Sequence, residues 1–189
     1  MNALLLPFYL FILASALALF EIQIEGKYGW AEKLPTWRPS SRSLIARIYA
    51  RVVPGKELTG YHIMFFITFL LIFHFPFLFG YELSIENWVK ILSLMLMVMT
   101  AEDFLWFVFN PAFGIKKFFT NKVPWHTKRV LYVPIEYFIS ISLSFVILTP
   151  LFARLGVVQF YSWLINILVF TFCILVVSFI LLLKPQKLD

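Results

Sequence analysis

FFITFLLIF, residues 65–73, contains no charged side chain, and its polar and apolar residues do not alternate. The apolar run around it extends over residues 60–80. About 20 such residues in a helix cross the roughly 30 Å hydrocarbon core of a bilayer, and lipid offers no hydrogen-bond partners for an open backbone. A membrane β-barrel needs alternating polarity, which ILVVSFILLL (174–183) also lacks. The stretch therefore predicts a transmembrane helix.

Four other stretches are similarly long and apolar. The five predicted spans are residues 3–24, 60–80, 88–110, 131–152 and 159–183. The first run begins near Met1 and has no basic segment before it and no convincing small-residue cleavage site. We therefore expect a retained first helix rather than a cleaved signal peptide. The sequence predicts one integral membrane domain, residues 1–189, folded as an all-α bundle of five transmembrane helices.

Composition supports this class. The chain has 189 residues, of which 61% are hydrophobic and 14% charged, and its formal net charge is +6. A soluble domain is about half apolar and a quarter charged. Because the basic residues cluster between apolar runs, we expect membrane lipids with anionic headgroups as partners and no nucleic acid. Cys173, the one cysteine, lies in FTFCILVV (170–177) and is expected to be a packing residue.

The basic residues also predict orientation. Fourteen of the sixteen lie between the first and second spans, between the third and fourth spans, or in the tail with Lys184 and Lys187. Lys90 and Arg154 lie on the other side. Basic loops stay in the cytoplasm, so we expect the N-terminus outside and the C-terminus in the cytoplasm. The expected location is the inner or plasma membrane, as a multi-pass protein.

A second helix is predicted in the first cytoplasmic connection. SSRSLIARIYARVV, residues 40–53, places Arg47 and Arg51 on one stripe with serines, and Leu44, Ile45, Ile48 and Val52 on another. Such a helix can lie on the membrane surface with its arginines among headgroups. The alternative is a helix packed on the cytoplasmic face of the protein itself.

Ionisable residues in the spans converge on one level. Such residues are costly in lipid and usually face the bundle interior or a cavity. By position they all map to the cytoplasmic half of the membrane: Glu21, Glu25, His62, Glu102, Asp103, His126 and Glu136. In the outer half, His74 is the deep polar candidate, and its Phe neighbours predict a satisfied packing residue.

The acids in MTAEDFLWFVFNP, residues 99–111, point in different directions. Adjacent helical residues are 100° apart, so Glu102 and Asp103 can both face inward only if helices flank the third span on two sides. We therefore expect this span to be central. The acids could pair with cations such as Arg51, Lys128 or Arg129, bind a metal, or act on a substrate directly.

Under these alternatives, the candidate residues have specific roles. The candidate catalytic residues are Glu102, Asp103, His126 and Glu136. The candidate substrate-binding residues are Arg51, Trp106, Asn110, Trp125, Lys128 and Arg129. The candidate metal ligands are Glu21, Glu25, His62, Glu102, Asp103 and His126. A set of carboxylates and imidazoles suits a divalent metal such as Zn²⁺, Fe²⁺ or Mn²⁺ better than a thiol site would.

The connection after the first span is expected to cover this cluster. EIQIEGKYGWAEKLPTWRPS, residues 21–40, mixes glycines, prolines and aromatic residues, which favours an ordered capping or re-entrant loop over a flexible linker. The alternative is an ordinary interfacial loop.

No nucleotide-binding, nucleophile-elbow or multi-histidine motif is present, and no family resemblance is identified. The leading hypothesis is an enzyme that acts on a lipid or another hydrophobic substrate at a carboxylate and histidine site in the cytoplasmic leaflet, with or without a metal. The alternatives are a small transporter or channel subunit, or a non-catalytic assembly or lipid-binding protein. The outer half of the predicted bundle offers almost no polar residues for a transport path, which counts against a transporter.

Overall fold

The computed structural model describes residues 4–52, 56–120, 123, 125–126 and 128–183, apart from the side chains of Val52, Ala153 and Leu155. Ala3, Lys122, Lys184 and Lys187, which contributed to the predicted spans and orientation, lie outside the described residues, as does the side chain of Val52. The elements are α1 (Leu5–Glu25), α2 (Leu44–Val52), α3 (Gly60–Leu78), α4 (Ile85–Phe109), α5 (Gly114–Phe118), β1 (Arg129–Val130), β2 (Val133–Pro134), α6 (Ile135–Val146), α7 (Thr149–Leu155) and α8 (Val158–Leu183).

Five helical segments are long and apolar enough to cross a membrane. They are α1, α3, α4, the α6–α7 segment over Ile135–Phe152, and α8. The prediction of a mostly helical protein with five such segments is confirmed. Their bounds agree with the sequence within three residues, except in the fourth segment.

Side-chain caps explain two of these bounds. Thr59 precedes α3, and its side chain accepts a hydrogen bond from the backbone N–H of His62. Ser84 does the same for Asn87 at the start of α4. A side-chain oxygen at this position satisfies one of the free N–H groups of the first turn. Helix α4 therefore begins at Ile85, three residues before the predicted start.

The fourth segment differs from the continuous helix predicted over residues 131–152. Leu131 and Tyr132 have φ values of 49° and 68°, and they form the turn between the antiparallel strands β1 and β2. The helix therefore starts only at Ile135. It is interrupted again at Ile147–Leu148, and α7 begins with Pro150 in its first turn. Proline has no N–H to donate and its ring clashes with the carbonyl four residues earlier, so it favours a new helix start over a continuous helix.

Helix α4 lies at the centre of the bundle, as expected, and it packs against α1, α3, α5, α6 and α8. Ala14 and Ala18 of α1 are completely buried, and small residues allow helices to approach closely. On the opposite side, the Ser93 hydroxyl donates to the carbonyl oxygen of Ser144 in α6 at 2.7 Å. The other long helices expose many large apolar side chains, such as Leu71 and Leu78.

His74 is a satisfied packing residue, as predicted. Its Nδ1 lies 2.7 Å from the carbonyl oxygen of Leu70, and the indole N–H of Trp88 donates to its Nε2 at 2.8 Å. Both ring nitrogens therefore have neutral partners. Cys173 is buried in the apolar surroundings expected of it.

Candidate functional site

Four helix ends bring the buried ionisable residues together at one end of the bundle. Glu21 and Glu25 lie in the last turns of α1, and His62 lies in the first turn of α3. Glu102 and Asp103 lie about two turns before the end of α4. Glu136 in the first turn of α6 and His126 in the preceding segment complete the set. The structure divides these residues into two groups.

The first group, called the α1–α3 cluster, consists of Glu21, Glu25, His62 and Glu102. One ligand-type atom from each of Glu21, Glu25 and His62 can be chosen so that all three lie within 4.8 Å of one another. The His62 Nε2 lies 3.7 Å from Glu25 Oε1. The Tyr61 hydroxyl donates to Glu21 Oε1 at 3.3 Å. Carboxylate oxygens and an imidazole nitrogen thus converge on one point.

Glu102 approaches this cluster from α4. Its side chain lies near that of Glu21, with which it lines the same cavity, and the residue is only 4% exposed. Its Oε1 has no hydrogen-bond partner within the part of the chain that the structure describes. Two buried carboxyl groups that face each other need a proton or a cation between them.

The second group, called the Asp103 cluster, consists of Asp103, His126, Glu136 and Tyr137. The imidazole of His126 lies between two carboxylates: its Nε2 is 3.4 Å from Asp103 Oδ2, and its Nδ1 is 3.9 Å from Glu136 Oε2. The Tyr137 hydroxyl donates to the same Asp103 oxygen. The side chain of His126 is 1% exposed, whereas those of Asp103 and Glu136 are about one-third exposed.

The charge state of His126 follows from these neighbours. Burial of the imidazole lowers its pKa, but the nearby carboxylates of Asp103 and Glu136 outweigh burial. The net effect is a pKa above the usual value for histidine. An imidazolium held against carboxylates on two sides can donate a proton and take one back.

The connection after α1 folds over the α1–α3 cluster, which confirms the predicted capping loop. The backbone N–H of Ala31 donates to Glu25 Oε1 at 2.5 Å. The indole of Trp30 stacks on the imidazole of His62 and donates to the carbonyl oxygen of Glu57 at 2.9 Å. Trp30 and Ala31 both have positive φ values, 46° and 51°. Non-glycine residues rarely adopt this conformation, so the surrounding contacts hold the loop in this shape.

Arg38 holds the far side of the loop. Its guanidinium donates to the carbonyl oxygens of Ala31, Leu34 and Thr36 at 2.6–3.1 Å, and its Nε donates to Glu57 at 3.0 Å. A planar guanidinium can satisfy several acceptors at once. One side chain thus fixes the far side of the loop.

Three candidate substrate-binding residues hold the near side of the loop. The amide of Asn110 donates to the carbonyl oxygen of Gly26 at 2.9 Å. Trp106 and Trp125 lie against Gly29, where a Cβ atom would be 2.4 Å from the Trp125 ring. All three side chains are buried. Their contacts join the loop to the end of α4.

The three candidate basic residues lie apart from the acids. Arg51 and Lys128 are exposed, and the guanidinium of Arg129 donates to the carbonyl oxygens of Phe118 and Tyr132. Among residues 4–52, 56–120 and 128–183, no ion pair within 4 Å joins any of them to an acid of either cluster. Lys56 instead lines the same cavity as Glu21, His62 and Glu102, and its Nζ lies 4.5 Å from the centre of the Trp30 ring.

A cavity of about 750 Å³ leads to both clusters. Its polar end is formed by Glu21, His62, Glu102, Asp103 and Lys56. Its walls are apolar and come mainly from α2 and α3: Ile45, Ile48, Ile63, Phe65, Phe66, Ile67, Phe69 and Met99. Several wall residues, including Ile48 and Phe66, are themselves exposed on the helix surface. Part of the cavity wall is therefore exposed at the surface of α2 and α3.

Sequence reasoning missed four contributors to the site: Trp30, Lys56, Tyr61 and Tyr137. Tyr61 stands next to His62 and Tyr137 next to Glu136, but adjacent helical residues point about 100° apart, so this spacing alone did not identify the two tyrosines. The roles of Trp30 and Lys56 depend on the fold of their loops.

No protein-family model, curated protein or solved structure matches this chain.

Proposed function

We propose that the protein is a membrane enzyme that acts on a lipid or another hydrophobic substrate. The observation that carries this proposal is the cavity, which joins an apolar channel open at the helix surface to a buried set of acids and histidines. An apolar channel with a few convergent polar groups is the usual form of a site for a hydrophobic ligand. The tail would lie along α3, with the reacting group at Glu102 and Asp103.

The Asp103 cluster supplies acid–base chemistry. Asp103 lines the cavity and contacts His126, which in turn contacts the partly exposed Glu136. Asp103 would accept a proton from the substrate or pass it to His126. His126 would hold or return that proton. The many carboxylates favour a reacting group that donates hydrogen bonds, such as a hydroxyl or an amine. Lys56 at the polar end would contact an acceptor on the same substrate.

The proposal includes the orientation of the protein in the membrane. The connections that carry the site are rich in lysine and arginine, which supports placing this end of the bundle in the cytoplasm and the N-terminus outside. Helix α2 has exposed Leu44, Ile45 and Ile48 alongside exposed Arg47 and Arg51. We place α2 on the inner or plasma membrane surface, with its arginines among anionic headgroups. It would then form one side of the substrate entrance.

The test uses purified full-length protein in nanodiscs made from a total polar lipid extract, with lipid turnover followed by mass spectrometry. General acid–base groups contribute about 10²–10⁴-fold to a rate, so Asp103→Asn and Glu102→Gln should lower turnover by about that factor. Glu86→Gln is the matched control, because Glu86 lies at the other end of α4 and pairs with Lys90 at 3.0 Å. Unchanged turnover in both site variants would reject the proposal.

Native mass spectrometry of the same protein tests the cavity separately. Met99→Trp should fill the channel and remove a co-purifying lipid, whereas Met64→Trp, on the exposed face of α3, should retain it. Retention of a lipid without turnover would indicate a lipid-binding protein. Flux of a solute across proteoliposomes that depends on Asp103 would indicate a transporter.

A further inference from the structure

The α1–α3 cluster has the composition and spacing of a metal site. We infer that Glu21, Glu25, His62 and Glu102 bind one divalent transition-metal ion. Ligand-type atoms of the first three residues already lie within 4.8 Å of one another. With metal–ligand distances of about 2.1 Å, the ligands of a tetrahedral ion are about 3.4 Å apart. Shifts of up to about 1 Å per side chain would therefore complete the coordination.

Glu102 is the second and independent observation. It enters from a different helix, it is 4% exposed, and its Oε1 has no partner among the described residues. An uncompensated buried carboxylate beside the Glu21 carboxyl group is costly. A dication placed between them would neutralise both groups and use the free oxygen of Glu102 as a ligand.

The groups behind the proposed ligands orient them as metal ligands are oriented in proteins. The backbone N–H of Ala31 bonds Glu25, the Tyr61 hydroxyl bonds Glu21, and the Thr59 hydroxyl lies 2.7 Å from His62 Nδ1. In the tautomer in which Nδ1–H donates to the Thr59 oxygen, the Nε2 of His62 faces Glu25 with a lone pair that is available to the ion. Such outer contacts fix the ring and raise the basicity of the ligand.

The donor set indicates which metals would bind. Three carboxylates and one imidazole suit Mn²⁺, Fe²⁺ or Zn²⁺, and the absence of thiolates disfavours Cu⁺. Asp103 and His126, also candidate ligands from the sequence, contact each other in the Asp103 cluster instead. The ion would lie in the wall of the cavity and polarise a substrate oxygen, so this inference deepens the proposed function and rests on it for its role, although binding itself is measurable alone.

The experiment measures metal binding by the intact protein in detergent. After treatment with a chelator and gel filtration, the protein is titrated in turn with Mn²⁺, followed by electron paramagnetic resonance, and with Zn²⁺ and Fe²⁺, followed by elemental analysis. We expect about one ion per chain for at least one of them. Glu25→Gln and His62→Ala should weaken binding by more than about tenfold, whereas Glu136→Gln, in the other cluster, should leave it unchanged.

Gel filtration and melting temperature establish that each variant is folded, and Glu21→Gln serves in place of any variant that is not. Failure of the wild-type protein to bind stoichiometric Mn²⁺, Fe²⁺ or Zn²⁺ would overturn the inference, as would equal binding by wild type and the ligand variants. Lipid turnover that persists in the metal-free protein would reject the catalytic role of the ion and support the proposed enzyme. Stoichiometric metal binding without lipid turnover would support the metal site and reject the proposed enzyme.

Discussion

The indole ring of Trp30 stacks on the imidazole ring of His62, with ring centres 3.9 Å apart and ring planes 20° from parallel. Trp30 comes from the capping loop and His62 from the first turn of α3, so this contact closes the loop over the α1–α3 cluster. The position of the loop and the orientation of the histidine are therefore coupled.

Substitution of Trp30 should separate two contributions to this contact. Trp30→Phe keeps an aromatic ring but loses the hydrogen bond to the Glu57 carbonyl, whereas Trp30→Leu loses both. Stacked aromatic pairs contribute about 0.5–1.5 kcal/mol beyond buried area. The melting temperature in detergent should therefore fall in the order wild type, Trp30→Phe, Trp30→Leu. Trp37→Leu, at an exposed tryptophan, should change it little, and an equal effect at both positions would contradict the stacking role.

Gly29 should tolerate no side chain. It has a φ of 70°, and an added Cβ would lie 2.4 Å from the Trp125 ring. Gly29→Ala therefore combines backbone strain with overpacking, which costs typically about 1–3 kcal/mol. Gly156 has the same φ of 70° but nothing within 4 Å, so Gly156→Ala reports the backbone strain alone. The melting temperature should fall further for Gly29→Ala, and equal shifts would show that the Trp125 contact does not matter.

The interface between α1 and α4 should reject larger residues. Ala14 and Ala18 are fully buried on the inward face of α1, which packs mainly against α4, whereas Ala16 on the same helix is exposed. Ala14→Leu and Ala18→Leu should each destabilise the protein by about 1–3 kcal/mol through overpacking. Ala16→Leu adds the same volume on the outer face and should leave the melting temperature nearly unchanged. Stability that is insensitive at Ala14 and Ala18 would place α1 elsewhere in the bundle.

His126 should make stability depend on pH. Its pKa is raised in the folded protein above the usual value of about 6.5. The stabilisation that its charge supplies is then fully present below about pH 6.5, and it is lost as the pH rises through the raised value. The difference in melting temperature between wild type and His126→Gln should therefore be largest near pH 6 and shrink at higher pH.

The groups that act on His126 come from several segments: Asp103 on α4, Glu136 and Tyr137 on α6, Arg129 on β1, and Lys56 before α3. Because other groups also titrate, the difference between wild type and variant is the quantity to follow. His74→Gln is the control, since both nitrogens of His74 have neutral partners. A wild-type minus His126→Gln difference that stays constant from pH 5 to 9 would refute the assignment.

The long apolar runs predicted the fold well because a membrane permits few alternatives for such segments. The central position of α4 was also predictable from Glu102 and Asp103. In the structure, Glu102 lies near Glu21 of α1, and Asp103 accepts a hydrogen bond from Tyr137 of α6. The interruption before α7 had a local signal in Pro150. The hairpin turn at Leu131–Tyr132 had none, because apolar residues rarely adopt positive φ.

The division of the acids into two clusters could not be predicted. Spacing along one helix gives the direction of a side chain, but the partner on another helix depends on how the helices pack. Asn110, Trp106 and Trp125 show the same limit. Their positions near a candidate site predict substrate contacts, but the sequence did not reveal that they also contact the capping loop.

The cavity wall exposed on α2 and α3 has a kinetic consequence under the proposed function. A substrate that entered there from the membrane would arrive by diffusion within the plane of the bilayer, so its supply would depend on its number per unit of membrane area. Adding inert lipid to the same total amount of protein and substrate would then slow its capture, even though no concentration in the surrounding water had changed.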